Sequence, residues 1–126
     1  GLVRCVEEDI DHFSMENGYR TTKKLIESGE KFTAVFATAD ILAIGACRAL
    51  LEAGLRIPED VSVAGFDGIE LGKYYNPAIT TMKQPVREMA ETTVRLLFDI
   101  IAGRKEYEHI VFPAVLEVRE SCGEKR

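Results

Sequence analysis

The chain has 126 residues, with 16 Lys and Arg against 21 Asp and Glu and a formal net charge of −5. Apolar residues make up 46% and charged residues 29%, the proportions of one globular domain rather than of a disordered chain. No apolar run approaches the ~20 residues that span a bilayer, so no membrane partner is expected. Nothing at the N-terminus reads as a signal peptide, and the acidic balance argues against this segment gripping a phosphate backbone by itself.

Short β-rich runs alternate with amphipathic helices, which predicts an α/β fold: a three-layer parallel sheet with helices on both faces. A first strand is expected at residues 2–6. Ser14 is placed to cap a helix running to about Ser28, with Met15, Tyr19, Thr22, Leu25 and Ile26 on one face and Gly29 as its stop. Residues 33–37, "TAVFA", read as a charge-free strand buried on both faces. Asp40 is placed to cap the next helix, 41–53, which Gly54 ends. Residues 61–66 and 79–82 read as two further strands. Pro85 then opens a long helix ending near Ala102, with Glu91 and Arg95 as an i,i+4 pair. The tail carries two strand-like runs, "HIVFPAV" and "LEVRES".

Two helices stand out for the apolar side chains they present. Between residues 41 and 51 the single charged side chain is Arg48. A helix apolar nearly all round needs cover on both sides. One side is expected on the sheet and the other on a second surface, most simply another subunit. The long helix after Pro85 presents Val86, Met89, Ala90, Val94, Leu97, Phe98 and Ile101.

Ligands of open parallel sheets bind beyond the carboxyl ends of the strands. Those ends carry Glu7, Glu8, Asp9 and Phe13, then Thr38 and Asp40, then Asp67, then Lys83 and Gln84. A ring beside a carboxylate suits a ligand with an apolar face and several hydroxyls. Each group also has a plainer reading. Asp40 reads first as a helix cap, Phe13 as a hydrophobic staple, Asp67 as a turn residue, and the acidic run as a solvated loop.

The three cysteines, Cys5, Cys47 and Cys122, lack metal-ligand spacing. Cys5 and Cys47 are expected to act as small core hydrophobes in a reduced, cytoplasmic setting. His12 and His109 lie far apart, so no metal or other cofactor is expected. No nucleophile elbow, P-loop, zinc-protease or complete dinucleotide motif is present, and no catalytic residue is assigned. A phospho-accepting receiver domain would need its acids and lysine in a different strand order.

Four motifs occur together in order: "AxxDxxAxGAxRAL" from Ala37, "GLRIPEDVSVAGFD" from Gly54, "NPAITTMKQP" from Asn76 and "VRESC" from Val118. With them the chain resembles the LacI/GalR family of bacterial transcription regulators over about residues 13–122. The resemblance implies the C-terminal part of a two-lobed, periplasmic-binding-protein-like effector domain, with a DNA-binding helix-turn-helix head on a segment outside this chain. Residues 1–84 would form most of the C-terminal lobe. Residues 85–113, a helix and a strand near Ile110 to Phe112, would belong to the N-terminal lobe. Residues 114–126 would return to the C-terminal lobe. Phe13 would stack on the effector, Asp67 would receive its hydroxyls or ring nitrogens, and Gln84 would stand at the lobe crossover. Ala39 stands where some members place a polar contact. Leu42, Ile44, Ala46, Cys47, Leu50, Tyr74 and Tyr75 would form a homodimer interface. The implied effector is a small molecule, a sugar or sugar derivative first. It would control operator DNA binding through lobe orientation. An exported sugar-binding protein of the same fold is the alternative.

Overall fold

The computed structural model describes residues 12–123, so the strand expected at 2–6, Cys5 and the run Glu7, Glu8, Asp9 lie outside the described residues. The described elements are α1 (Met15–Glu27), β1 (Ala34–Phe36), α2 (Asp40–Glu52), β2 (Ser62–Asp67), α3 (Glu70–Tyr74), β3 (Thr80–Lys83), α4 (Val86–Ile101) and β4 (Val115–Glu117). The strands form a mixed sheet in the order β1-β2-β3-β4. The first three are parallel and β4 is antiparallel, with Val35 opposite Val63, Ala64 opposite Thr80 and Met82 opposite Leu116.

Local chemistry sets the element ends. The Ser14 hydroxyl accepts from the Asn17 N–H at 3.1 Å, capping α1. Gly54 and Gly103 leave α2 and α4 at φ of 79° and 69°, a conformation that costs glycine nothing. In the loop before β2, Asp60 accepts from the Arg56 N–H at 2.8 Å and from both sides of its guanidinium, at 2.9 and 2.7 Å. These bonds hold the Asp60 carboxyl down at about 2.

The core lies between α2 and the sheet. Leu42, Ala43, Ile44, Cys47 and Leu50 pack with Val61, Val63 and Ile79. Burial pushes the Cys47 thiol up to about 12, with the nearby Cys122 adding to the shift. The second side of α2 is covered by α1 of the same chain. Backbone meets backbone there, because a Cβ on Gly18 would stand 2.2 Å from the Leu42 carbonyl oxygen and one on Gly45 2.0 Å from that of Met15. This corrects the reason for expecting a second subunit on that helix. Leu42, Ile44, Ala46, Cys47 and Leu50 are buried within the chain itself, while Tyr75 is half-buried and Tyr74 is 79% exposed.

Four further expectations change. β1 is not buried on both faces: Ala34 and Phe36 are exposed, since β2 is the one strand beside it among the described residues. Asp40 is not a cap. It is the first residue of α2, whose N-cap is Ala39 without a side-chain hydrogen bond. Glu91 pairs with Arg87 at 2.9 Å rather than with Arg95, satisfied by the cation one turn upstream. Residues 110–112 form no strand, for no described strand lies beside them to pair with.

The chain end is fastened to the middle of the sheet. Ser121 is fully buried. Its hydroxyl donates to the Val63 carbonyl at 2.6 Å and accepts from the Thr80 N–H at 2.8 Å. Its backbone accepts from the Val63 N–H at 2.7 Å and donates to the Ala78 carbonyl at 2.9 Å. Arg119 donates to the Ile79 carbonyl at 3.1 Å and pairs with Glu117, and Glu120 accepts from the Ala78 N–H at 2.9 Å.

Gly45→Ala is expected to destabilise the fold by about 1–3 kcal/mol despite alanine's higher helix propensity, because α1 must move away from α2. Urea unfolding followed by circular dichroism measures it. Ser121→Ala strands the Thr80 N–H and is expected to cost about 1–3 kcal/mol in the same experiment.

Candidate binding site

The parallel strands bring their carboxyl ends to one edge of the sheet. β2 ends in Asp67 and β3 in Lys83, the two being register partners, and Gln84 and Pro85 then lead into α4. An open cleft of about 500 Å³ lies at this edge, bounded by Asp67, Lys83, Gln84, Val86, Arg87 and Glu91. That volume falls in the range of small-molecule sites.

The two expected contact residues meet there. Gln84 Nε2 donates to Asp67 Oδ1 at 2.7 Å, and the Gln84 N–H donates to the Asp67 carbonyl at 3.1 Å. Asp67 has a φ of 116°, the one positive φ of a non-glycine residue among the described residues. Such a conformation costs about 1–3 kcal/mol and persists only where neighbours enforce it. Gly68 follows at φ 79°, and a Cβ there would strike the Lys83 side chain at 2.6 Å. Lys83 pairs with Glu117 at 3.0 Å, tying the cleft edge to β4. The Lys83 and Arg119 cations hold the Glu117 carboxyl below its ordinary value, Arg119 contributing more.

The carboxylate that fastens this edge is Asp40, which reads from the sequence as a local cap. Its Oδ2 accepts from the Gly68 N–H at 2.8 Å and the Ile69 N–H at 2.9 Å. The sequence signal was there: an acid opening a helix that has no other polar residue until Arg48, so a carboxylate committed to the fold.

Phe13 stands elsewhere on the surface. It is 67% exposed and does not line the cleft. The staple reading fails because the helix position it would pack on is Gly18, which offers no side chain. Thr38 is exposed, and Ala39 is buried. Among the described residues no group of three or more His, Cys, Asp or Glu is arranged to hold a metal ion. No described helix is long and apolar enough to cross a membrane.

A second open cleft, about 460 Å³, lies where α1 meets α2, bounded by Met15, Tyr19, Ile44, Arg48, Glu52 and Tyr75. Tyr19 donates to Glu52 at 2.7 Å, and Arg48 Nε donates to the same carboxylate at 2.7 Å. The bond to Glu52 raises the Tyr19 phenol above its ordinary value, and the bonds from Tyr19 and Arg48 lower the Glu52 carboxyl. Of the expected interface residues, Ile44 and Tyr75 reach this cleft.

Comparison with known proteins places this geometry in a family. The periplasmic binding protein-like domain matches residues 3–122. The regulator MalR of Clostridium butyricum is 44% identical over 110 residues, and the repressor MelR of Bacillus subtilis 43% over 114 residues. These spans cover 87% and 90% of this chain but 33% of each regulator, so the chain spans about a third of their length. Among solved structures, a LacI family regulator of Enterococcus faecium with bound ribose superposes with a TM-score of 0.79 at 41% identity, covering 87% of this chain and 41% of that one. The lac repressor dimer bound to operator and an anti-inducer gives 0.82 at 33% identity, covering 86% and 38%. These similar proteins are transcription regulators. The chain belongs to the periplasmic binding protein-like domain family, in the form carried by regulators of the LacI type.

Proposed function

We propose that this chain is the C-terminal part of the effector-sensing domain of a LacI-type transcription regulator. The observation that carries the reading is the Asp67–Gln84 pair at the mouth of the open cleft, where the chain leaves the sheet for α4. A fixed carboxylate beside an amide offers the acceptors and donors that a polyhydroxylated ligand needs. A sugar is the effector class, in keeping with the ribose of the Enterococcus faecium regulator. Phe13 is the aromatic stacking residue of this reading, its ring largely exposed and thus available.

The exposure of α4 supports the lobe assignment. None of its side chains is buried, and Phe98 and Ile101 are 63% and 72% exposed. An apolar helix face of that extent calls for a cover. We assign residues 85–113 to a second lobe, with 1–84 and 114–126 forming most of the first. In the intact regulator the effector would sit between lobes and favour one relative orientation. The domain acts by binding and not by catalysis, in the cytoplasm. Operator DNA would be held by a segment outside this chain. A coupling of about 1–3 kcal/mol would change operator affinity roughly 5- to 150-fold. Two copies would meet at the cleft of Tyr19, Arg48 and Tyr75, with buried Ile44 beneath it.

The test uses the intact regulator and a panel of sugars screened by thermal shift. Asp67→Ala is expected to weaken binding of the stabilising sugar at least about tenfold, the loss of hydrogen bonds to a charged group. Unchanged affinity in calorimetry would overturn the site. Arg48→Glu places two acids together on an exposed surface and is expected to raise the dimer dissociation constant about tenfold or more. Sedimentation velocity reads this, and an unaltered dimer would remove that cleft from the interface.

A further inference from the structure

The geometry points to Asp40 as the residue that positions Asp67. The inference rests on the reading of Asp67 as an effector contact, and Asp40 itself is not placed against the effector.

Asp40 is a carboxylate with no exposed surface at all. One oxygen does all of its bonding. Oδ2 accepts from the N–H groups of Gly68 and Ile69, the two residues immediately after Asp67. The other, Oδ1, is buried without a hydrogen-bond partner. It lies against β2, where a Cβ on Gly65 would come within 2.2 Å of it. The carboxylate is thus wedged between the start of α2 and the backbone of β2, with its working oxygen aimed at the turn.

That turn needs holding. Asp67 sits at φ 116° and Gly68 at φ 79°. The buried Asp40 Oδ2 accepts from two successive N–H groups there and so restrains the backbone of the turn. The Gly68 N–H also reaches Thr81 Oγ1, at a longer 3.2 Å. Fixing Gly68 and Ile69 fixes the backbone on the far side of Asp67, while Gln84 N–H fixes its carbonyl at 3.1 Å. With both ends set, the Asp67 carboxylate meets Gln84 Nε2. A plain structural acid would stabilise the fold without governing that pair.

The experiment reads the pair directly, without ligand, by nitrogen-15 NMR of the full chain. Asp40→Ala is expected to speed amide exchange of Gly68 and Ile69 at least about tenfold and to shift the Gln84 side-chain amide signals toward those of a free glutamine. Amides in the middle of α1 keep their wild-type exchange. Asp40→Asn keeps an acceptor oxygen at the same place and is expected to restore both signatures. A Gln84 signal unchanged in Asp40→Ala, or lost equally in Asp40→Asn, would overturn the inference. Should Asp40→Ala fail to fold, couplings measured across the hydrogen bonds from Gly68 and Ile69 to the Asp40 carboxylate in the wild-type chain decide it: their absence overturns it, and their presence with Gln84 intact in Asp40→Asn supports it. The effector reading stands or falls separately, by the sugar affinity of Asp67→Ala.

Discussion

A helix apolar nearly all round must be covered on both sides, and α2 meets that demand within one chain along all but the strip that carries Arg48. The sheet closes one side through Val61, Val63 and Ile79, and α1 closes the other at backbone contact over Gly18 and Gly45. Apolar burial of this kind supplies most of the favourable free energy of a small domain. Everything functional hangs from that enclosure. α2 carries Asp40 at its first residue and Arg48 on its remaining exposed strip. The same seated helix therefore orders the turn at the sheet edge and presents one wall of the second cleft.

The element boundaries were largely legible because they rest on local chemistry. Ser14, Gly54, Pro85 and Gly103 act within one turn of the backbone they control, and α1, α2 and α4 start and stop where those residues stand. What was hidden depends on distant partners. Asp40 looks like a cap because the free N–H donors of its own helix lie near; its true donors are 28 and 29 residues away. Gly18 matters for the side chain it lacks, and no periodicity records an absence. Phe36 and Ile110 have strand-forming side chains, yet exposure and pairing follow from which strands lie beside them. The meeting of Asp67 and Gln84 followed from the strand-end rule for parallel sheets. Their assignment to an effector came from motif resemblance, since a carboxylate and an amide at 2.7 Å do not name a ligand.

The two clefts differ in chemistry. At the sheet edge the polar groups are fixed by backbone bonds and converge, as a site for a small molecule requires. Beside α1 and α2, Met15 and Ile44 are flanked by the polar Tyr19–Glu52–Arg48 cluster, where the proposed dimer would meet. α2 runs between them, so in the proposed regulator one packed, rigid element would link ligand and partner.

The tail fastening carries a consequence for how the protein is made. Ser121 completes the hydrogen bonding of Val63, 58 residues earlier in the chain. On the ribosome, β2 and β3 emerge well before the segment that satisfies their backbone. The polar groups of Val63 and Thr80 stay unpaired until Ser121 follows them out. The lobe therefore closes from behind, and a product that stops short of Ser121 keeps open backbone groups, exposed both to proteases and to self-association.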